Sequence, residues 1–253
     1  MRILRHAGRM GDVLYSLYYA TRLMQGEPFD LALITGVSAW DPSGRPHMMD
    51  PEDAEFMRPL LEAQSYIHSV LITDDPRTLP AHTIQLDTFR SNMRRVVSRE
   101  IRAWYYSKYH PIQPDEFERP VLSLPDPVER TDRIAICFTS RYRQRFNLAP
   151  LKKMADRLAF IGLPAEHAAF CREHFNVAFH PVLDALNLFQ FAASCRGFVG
   201  NVSGTYAIME CAKIPRILCL EPTGGNVRPY GPNAFTAAST IQLDSNLKTL
   251  FGD

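Results

Sequence analysis

The chain begins with residues 1–35, MRILRHAGRMGDVLYSLYYATRLMQGEPFDLALIT. Its first few residues alternate in polarity, as a short strand does, and a glycine-punctuated loop from Gly8 to Gly11 follows. Apolar side chains then recur at helical spacing, at Val13, Leu17, Ala20 and Met24. The apolar run from Leu31 to Thr35 is typical of a buried parallel strand. This order predicts that a βαβ unit opens the protein.

Strands and helices continue to alternate along the rest of the chain. Helices are predicted over 51–64 and 89–104, and another begins at Pro181 with Leu183 on its apolar face. Short strands are predicted at 66–73, 83–86, 133–138, 159–162, 197–200 and 216–220. The pattern predicts an α/β fold of two Rossmann-like domains, each an open and mostly parallel sheet, facing a cleft that receives ligands.

A proline-rich stretch separates the two halves of this pattern. It contains Pro111, Pro114, Pro120, Pro125 and Pro127. Such a composition is typical of a semi-rigid connector between domains. We therefore predict an N-terminal domain over 1–127 and a C-terminal domain over 128–253, with a hinge between them that closes over a ligand.

The composition is that of an ordinary globular chain without a bulk charge. The 253 residues are 46% hydrophobic and 22% charged, and 28 basic side chains against 27 acidic ones leave a net charge of +1. A nearly neutral protein has no overall positive electrostatic field that would attract nucleic acid, so we expect no nucleic-acid partner. Any anion-binding site must then be local.

Cysteine usage and the N-terminus both favour a cytoplasmic location. The five cysteines are odd in number and contain no C-x-x-C pair, which excludes a disulfide framework and a zinc ribbon and predicts reduced core thiols. The N-terminal residues lack the apolar stretch of a signal peptide, and no run of about 18 apolar residues is present.

Several common catalytic motifs are missing. The chain has no G-x-G-x-x-G after the first strand, no G-K-[ST], no G-x-S-x-G and no H-E-x-x-H, which argues against a dehydrogenase, a P-loop NTPase and a simple hydrolase. His167, Cys171 and His174 would share one helix face, but a packed or solvated face explains them without a fourth ligand. We predict neither a metal site nor a cofactor.

The first candidate site residue is Asp12, in the glycine-punctuated loop. Glycines allow a tight turn there, and the carboxylate arrives at the start of the first helix. It could cap that helix by accepting from free backbone amides. It could instead act as a general base for an acceptor hydroxyl in the interdomain cleft.

A second candidate site lies in Gly200–Thr205, between a predicted strand and a predicted helix. The backbone amides of Ser203, Gly204 and Thr205 could hold a phosphate group at the helix start. The alternative is an ordinary capped helix, with Ser203 or Thr205 as the cap. Glu210, two turns further on, could reach a ribose hydroxyl or could be an exposed surface acid.

Clustered arginines provide the third candidate feature. Arg141, Arg143 and Arg145 follow a buried strand, where loops face the expected crevice, and a guanidinium binds phosphate through two parallel hydrogen bonds. A solvated loop is the alternative. A predicted helix carries further arginines that could contact an anionic membrane surface or form a solvated basic face, at Arg90, Arg94, Arg95, Arg99 and Arg102.

Three stretches together resemble a known family. They are Met10-Gly11-Asp12-Val13-Leu14, Thr139-Ser140-Arg141, and Phe198-Val199-Gly200-Asn201 with Ser203-Gly204. The chain resembles a short and divergent member of the heptosyltransferases that act on lipopolysaccharide, which are ADP-heptose-dependent glycosyltransferases of GT-B architecture. The resemblance covers both ends of the chain, while 37–130 matches only in outline.

This resemblance implies roles for particular residues. Asp12 matches the aspartate that activates the acceptor hydroxyl, and the helix start at Ser203, Gly204 and Thr205 matches the diphosphate-binding turn. Three positions depart from the family pattern. Gln144 stands where the family has a lysine, so that Arg143 or Arg145 would replace it, Val202 stands in place of an aspartate and Ala207 in place of a histidine.

The sequence thus predicts a metal-independent glycosyltransferase that moves a sugar from a nucleotide diphosphate sugar to the hydroxyl of a glycan or lipid-linked acceptor. Fixed amides and guanidinium groups would stabilise the leaving diphosphate without a metal ion. Val202, Gln144 and a chain shorter than the usual member of the family favour an alternative, a non-catalytic protein that binds a nucleotide or nucleotide sugar on the same scaffold. A further alternative is an interaction protein that uses the arginine-rich helix.

Overall fold

The protein contains two parallel β-sheets with helices packed around them. The structure, a computed structural model, describes residues 1–38, 48–88, 100–102, 105, 114–140, 142, 146–220 and 226–252. The first sheet contains β1 (Arg2–His6), β2 (Phe29–Ile34), β3 (Ile67–Thr73) and β4 (Ile84–Gln85). Their order is β3-β2-β1-β4, and each neighbouring pair is parallel. The predicted βαβ unit at the start of the chain is confirmed.

The second sheet has the strand order of a complete Rossmann fold. It contains β5 (Ile134–Cys137), β6 (Leu158–Phe160), β7 (Ala178–Phe179), β8 (Phe198–Gly200), β9 (Arg216–Cys219) and β10 (Ala234–Ala237). The order β10-β9-β8-β5-β6-β7 is the 3-2-1-4-5-6 arrangement, with β5 as its first strand. Every residue of β5 is buried, as expected for a strand covered on both faces.

Seven α-helices lie in the described part of the chain. The first half contains α1 (Met10–Leu23) and α2 (Pro51–Glu62). Those of the second half are α3 (Ala149–Lys152), α4 (Pro164–Glu173), α5 (Ala185–Ser194), α6 (Gly204–Ala212) and α7 (Thr240–Phe251). Short 3-10 turns lie at Pro76–Thr78 and Pro114–Glu118. The predicted helix over 89–104 lies outside the described residues, apart from 100–102.

The start of α5 corrects one sequence prediction. A helix was expected from Pro181, but α5 begins at Ala185, and Leu183 is exposed rather than on an apolar face. The reason is local, because the Asp184 side chain accepts a 2.8 Å hydrogen bond from the backbone N–H of Asn187. An aspartate with a free amide two or three residues ahead is a stronger start signal than proline at the first helical position.

The two halves share an apolar core. Helix α1 packs along α6, and α2 packs along α5, so that helices of the first sheet lie directly on helices of the second. The largest cluster of buried apolar side chains therefore includes residues of both halves. A second cluster is confined to the second sheet, α3, α4 and α7.

The proline-rich connector is bonded to both halves. The N–H groups of Val121 and Leu122 donate to the Cys211 carbonyl of α6. On the other side, the Tyr66 hydroxyl donates to the Val121 carbonyl at 2.8 Å, and the Gln64 side chain accepts from Ser123 N–H at 2.9 Å. These bonds hold the described part of the connector in place. The domain cut between residues 127 and 128 stays a prediction.

Candidate functional site

The predicted acid, Asp12, lies in the first turn of α1. Its Oδ2 accepts a hydrogen bond from the backbone N–H of Arg9, the N-cap residue, at 3.1 Å. The capping role considered from the sequence is therefore present. The side chain is only half-buried, so that solvent still reaches it.

Gly8 provides the space that the Asp12 carboxylate occupies. A Cβ added at Gly8 would lie 2.8 Å from Asp12 Cβ and 2.9 Å from Asp12 Oδ2, and it would also overlap the ring of His6. A larger residue at this position would displace one of the two side chains. The glycine of the loop is thus required by close packing against the candidate base.

The second candidate site is the start of α6. Ser203 is the N-cap, and its Oγ accepts a hydrogen bond from Tyr206 N–H at 3.0 Å, so the capping interpretation of this serine holds. A Cβ added at Gly204 would lie 2.5 Å from Met10 Sδ. The first residue of α1 therefore lies against the first residue of α6. The structure brings together two segments that are far apart in sequence and that were predicted to face each other.

Asn201 joins the two loops at the switch point of the second sheet. This side chain is fully buried, and its Oδ1 accepts from Thr139 N–H at 2.9 Å. Its Nδ2 donates to the carbonyl oxygens of Thr139 and Tyr142, at 2.8 and 2.9 Å. Ligands of Rossmann-like sheets bind between the strands β5 and β8 that these loops follow. Asn201 belongs to the third stretch of the family resemblance, but no role was predicted for it.

Glu166 was missed by sequence reasoning. It lies in the first turn of α4, after β6, the second strand in the Rossmann order. A Cβ added at Gly162 would lie 3.2 Å from Glu166 Oε2 and 3.3 Å from Cys137 Sγ, so that these two side chains meet there. An acidic residue after the second Rossmann strand is the usual ribose partner in dinucleotide-binding folds, and this position was the available signal.

The Cys137 thiol lies at the centre of this edge of the sheet. Burial, followed by the nearby charge of Glu166, raises its pKa to about 12, while hydrogen bonds with Thr205 and Ser203 act in the opposite direction. Side chains from the ends of β5, β6 and β8 therefore converge on one point. The predicted residues Ser203 and Thr205 belong to this group.

Glu210 lies in the interior, which corrects its predicted position. Its carboxylate accepts from Arg216 Nε at 2.6 Å, Lys213 Nζ at 2.7 Å and Arg102 Nη1 at 3.1 Å. The backbone N–H of Tyr230 adds a further bond at 3.2 Å. The side chain is fully buried, so it is not a surface acid, and its engaged oxygens argue against a contact with ribose. We assign Glu210 to a buried ion cluster.

Most of the arginines predicted to bind anions lie outside the described residues. The predicted diphosphate ligands Arg141, Arg143 and Arg145 lie outside the described residues, as does Gln144. Of the predicted arginine-rich helix, Arg102 is described, and it is buried in the ion cluster rather than on a solvated or membrane-facing surface. Its guanidinium lies 3.8 Å from the centre of the Tyr230 ring.

The described residues contain neither a metal-binding cluster nor a membrane-spanning helix. No group of three histidine, cysteine or acidic side chains there could hold a metal ion, and no helix among them is long and apolar enough to span a bilayer.

The His167 ring nitrogen Nε2 lies 2.9 Å from the Val177 carbonyl and 3.3 Å from Cys171 Sγ. All five thiols are free, and only Cys171 is partly exposed.

Comparisons with known proteins show what the fold is similar to. The fold matches the E. coli heptosyltransferase WaaC with ADP at 16% identity and a TM-score of 0.55, and the match covers 99% of this chain and 98% of the other. The fold also matches E. coli ADP-heptose LPS heptosyltransferase II at 13% identity and a TM-score of 0.59, again with 99% of this chain and 98% of the other covered. A glycosyl transferase family 9 protein from Veillonella parvula gives 10% identity and a TM-score of 0.61, over 98% of this chain and 88% of that one.

These likenesses are at the level of the fold. They confirm the predicted α/β class, with two Rossmann-like parallel sheets in a GT-B-like arrangement. No protein-family model matched the chain, and a search of curated proteins returned no match.

Proposed function

We propose that this protein transfers a sugar from a nucleotide diphosphate sugar to an acceptor hydroxyl. One observation carries the proposal: Met10 at the start of α1 lies against Gly204 at the start of α6. This contact would place the carboxylate of Asp12 near the backbone amides at the start of α6. A base on one side and an anion site on the other are the minimum that such a transfer requires.

The second sheet would hold the donor. Backbone amides at Ser203, Gly204 and Thr205 would bind the diphosphate, because a helix start concentrates free N–H groups and partial positive charge. Glu166, rather than Glu210, would accept hydrogen bonds from ribose hydroxyls. Arg141, Arg143 and Arg145 would add charge to the diphosphate site. WaaC was solved with ADP, which makes ADP the first nucleotide to test.

Asp12 would act on the acceptor. Its carboxylate takes the proton of the attacking hydroxyl while the oxygen forms a bond to the anomeric carbon and the bond from that carbon to the diphosphate oxygen breaks. The electron pair of the broken bond leaves on the nucleoside diphosphate, whose charge the helix amides stabilise. A single attack of this kind inverts the anomeric centre. We propose that no metal ion is needed.

A non-catalytic nucleotide-binding protein is the second candidate. It is favoured by Val202, which replaces the acid expected from the resemblance and is buried rather than directed to solvent. A cytoplasmic location and contact with an anionic membrane surface remain predictions from the sequence.

The test compares binding with turnover. ADP, UDP and GDP binding is measured by calorimetry, and nucleotide release is measured with the corresponding nucleotide sugars and a panel of glycan acceptors. We expect Asp12→Asn to bind the nucleotide as the unmodified protein does and to lose transfer by about 100-fold or more. Asp126→Asn, an exposed acid on the connector, is the control. Binding without turnover of any donor would favour the second candidate, and transfer retained in Asp12→Asn would remove Asp12 as the base.

A further inference from the structure

The hydrogen bonds of His6, at the end of β1, define the tautomer of its neutral ring. The ring is fully buried, and its Nδ1 accepts a hydrogen bond from the backbone N–H of Gly8 at 2.8 Å. A nitrogen that accepts cannot carry a proton, so a neutral His6 bears its hydrogen on Nε2. The backbone turn after β1 thereby selects one tautomer of the ring.

Tyr105 continues the chain of hydrogen bonds. His6 Nε2 lies 3.0 Å from the Tyr105 hydroxyl oxygen, and that hydroxyl donates to the backbone carbonyl of Asp12 at 3.1 Å. Since Nε2 carries the hydrogen, the histidine donates to the tyrosine oxygen and the tyrosine donates onward. Tyr105 is almost completely buried, which excludes water as a replacement partner on that side. The result is a one-way chain from Gly8 through His6 and Tyr105 to Asp12.

This chain fixes the backbone on both sides of Asp12. It holds Gly8 N–H before the first turn of α1 and the Asp12 carbonyl within it, while Arg9 N–H binds the Asp12 carboxylate. The backbone of Asp12 and one oxygen of its carboxylate are therefore both held by hydrogen bonds. Buried chains of this kind rigidify the groups that they join.

The segment that carries Tyr105 is also anchored to the second half. Arg102, three residues earlier, donates to Glu210 Oε1 at 3.1 Å, and Glu100 accepts from the Tyr230 hydroxyl at 3.0 Å. These bonds hold residues 100 and 102, which precede Tyr105 in the chain, against α6 and the residues around Tyr230.

We propose that His6 and Tyr105 are positioning residues, which hold Asp12 in the geometry needed to take the acceptor proton. The inference rests on the proposed function, because it assigns these residues a part in that reaction. Neither residue touches a reacting atom. Their effect is on the orientation of Asp12, where a displacement of about 1 Å can reduce a rate by about 100-fold.

The experiment combines ¹⁵N NMR of the His6 ring with transfer kinetics. In the unmodified protein, we expect the ring nitrogens of His6 to show the Nε2–H tautomer. In Tyr105→Phe, the Nε2 signal should shift because its partner is lost, and kcat should fall by about 10- to 100-fold with an unchanged KM for the donor. Tyr66→Phe is the matched control, since its hydroxyl also donates to a backbone carbonyl, that of Val121, but does not contact the Asp12 turn.

Each outcome decides a separate point. An Nδ1–H tautomer or a doubly protonated ring in the unmodified protein overturns the hydrogen-bond chain without any variant being made. Unchanged kcat in Tyr105→Phe, or an equal loss in Tyr66→Phe, overturns the positioning role while the proposed transfer stands. Absence of transfer in the unmodified protein contradicts the proposed function itself, and with it the role of the chain in that reaction, even if NMR shows the Nε2–H tautomer.

Discussion

At the scale of single residues, the turn after β1 is packed too closely for any residue except glycine at position 8. The ring of His6 and the carboxylate of Asp12 both border the hydrogen of Gly8, and each is held by its own hydrogen bond to the backbone. Neither can withdraw without breaking that bond. A side chain added at Gly8 would therefore displace the carboxylate of Asp12, the candidate base.

We predict that Gly8→Ala destabilises the protein by about 1–3 kcal/mol, because the new methyl group overlaps Asp12 and His6. It should also reduce transfer by displacing Asp12. Gly11→Ala, at the second residue of α1, is the matched control, because its added Cβ would lie at ordinary contact distances from Ala207 Cβ, 3.7 Å, and Tyr15 Cε2, 4.0 Å, and alanine favours a helix by up to about 1 kcal/mol. Urea denaturation measures both. Equal effects of the two substitutions would contradict the packing argument.

The buried ion cluster leads to a second prediction at this scale. Glu210→Gln should destabilise the protein by about 3–5 kcal/mol, since Arg102, Arg216 and Lys213 would be left buried without their shared carboxylate. The control is Glu55→Gln, which removes an exposed partner of Arg58 and should leave the denaturant midpoint nearly unchanged, because solvent screens an exposed ion pair. Denaturant midpoints compare the two, and a loss below about 1 kcal/mol in Glu210→Gln would show that the cluster is not required for stability.

At the scale of elements, helix starts do the positioning. Helix α1 begins after Arg9 and α6 after Ser203, and the close approach of Met10 to Gly204 brings these two starts together. These two helices follow strands of different sheets, β1 of the first and β8 of the second, so their starts meet because α1 packs along α6. The first N–H groups of a helix have no partner within the helix, and a ligand can bind them.

The start of α5 can be tested by its cap. Asp184→Ala should reduce stability by about 1 kcal/mol, because Asn187 N–H loses the side chain that accepts its hydrogen bond. Pro181→Ala should have a smaller effect, since that residue lies outside the helix. Thermal denaturation followed by circular dichroism provides the comparison. A larger loss in Pro181→Ala would indicate that the helix begins earlier in solution.

At the scale of the whole molecule, the two halves are joined by packed helices as well as by the connector. The α1–α6 and α2–α5 contacts bury apolar side chains from both halves in one cluster. The connector adds hydrogen bonds to α6 and to the end of α2. The hinge predicted from proline content alone would have to separate these contacts in order to open.

Cutting the chain at the predicted boundary tests this coupling. We expect a fragment of residues 128–253 to associate or to unfold at low denaturant, because it exposes the faces of α5 and α6 that α1 and α2 cover. The full-length chain, measured in parallel, should remain dispersed. Sedimentation and circular dichroism report the two properties. A monomeric fragment with native helix content would instead support two independent domains.

Much of the fold could be predicted from local pattern. Strands such as Ile134–Cys137 are short apolar runs, and α1 shows its apolar residues at helical spacing, so that both follow from neighbouring residues. Strand β10 and helix α7 were not predicted. The β10 sequence AFTA is too short and mixed to stand out, and it pairs with β9, 18 residues earlier by register.

The candidate site was predictable only in part. Asp12 and the turn at Ser203 have local signals, glycines and small polar residues at helix starts, and both stay candidates on which the structure adds geometry. The residues next to Glu210 in the sequence did not distinguish it from a surface acid. Its burial depends in part on Arg102, which is 108 positions away in the chain. Glu166 follows the second predicted strand of its half, a position that the sequence already indicated, and the strand order of the sheet shows that this half is Rossmann-like.

By itself, the sequence determined the α/β class, most of the parallel strands and the starts of α1, α2 and α6, because hydrophobic period and capping act over a few neighbouring residues. Tertiary structure alone decided that the starts of α1 and α6 touch, that Glu210 is buried among cations, and that His6 and Tyr105 hold the Asp12 turn. The contacts of Met10 with Gly204, of Arg102 with Glu210 and of His6 with Tyr105 join residues 99 or more positions apart. Their formation depends on how the sheets and helices pack, which no local pattern records.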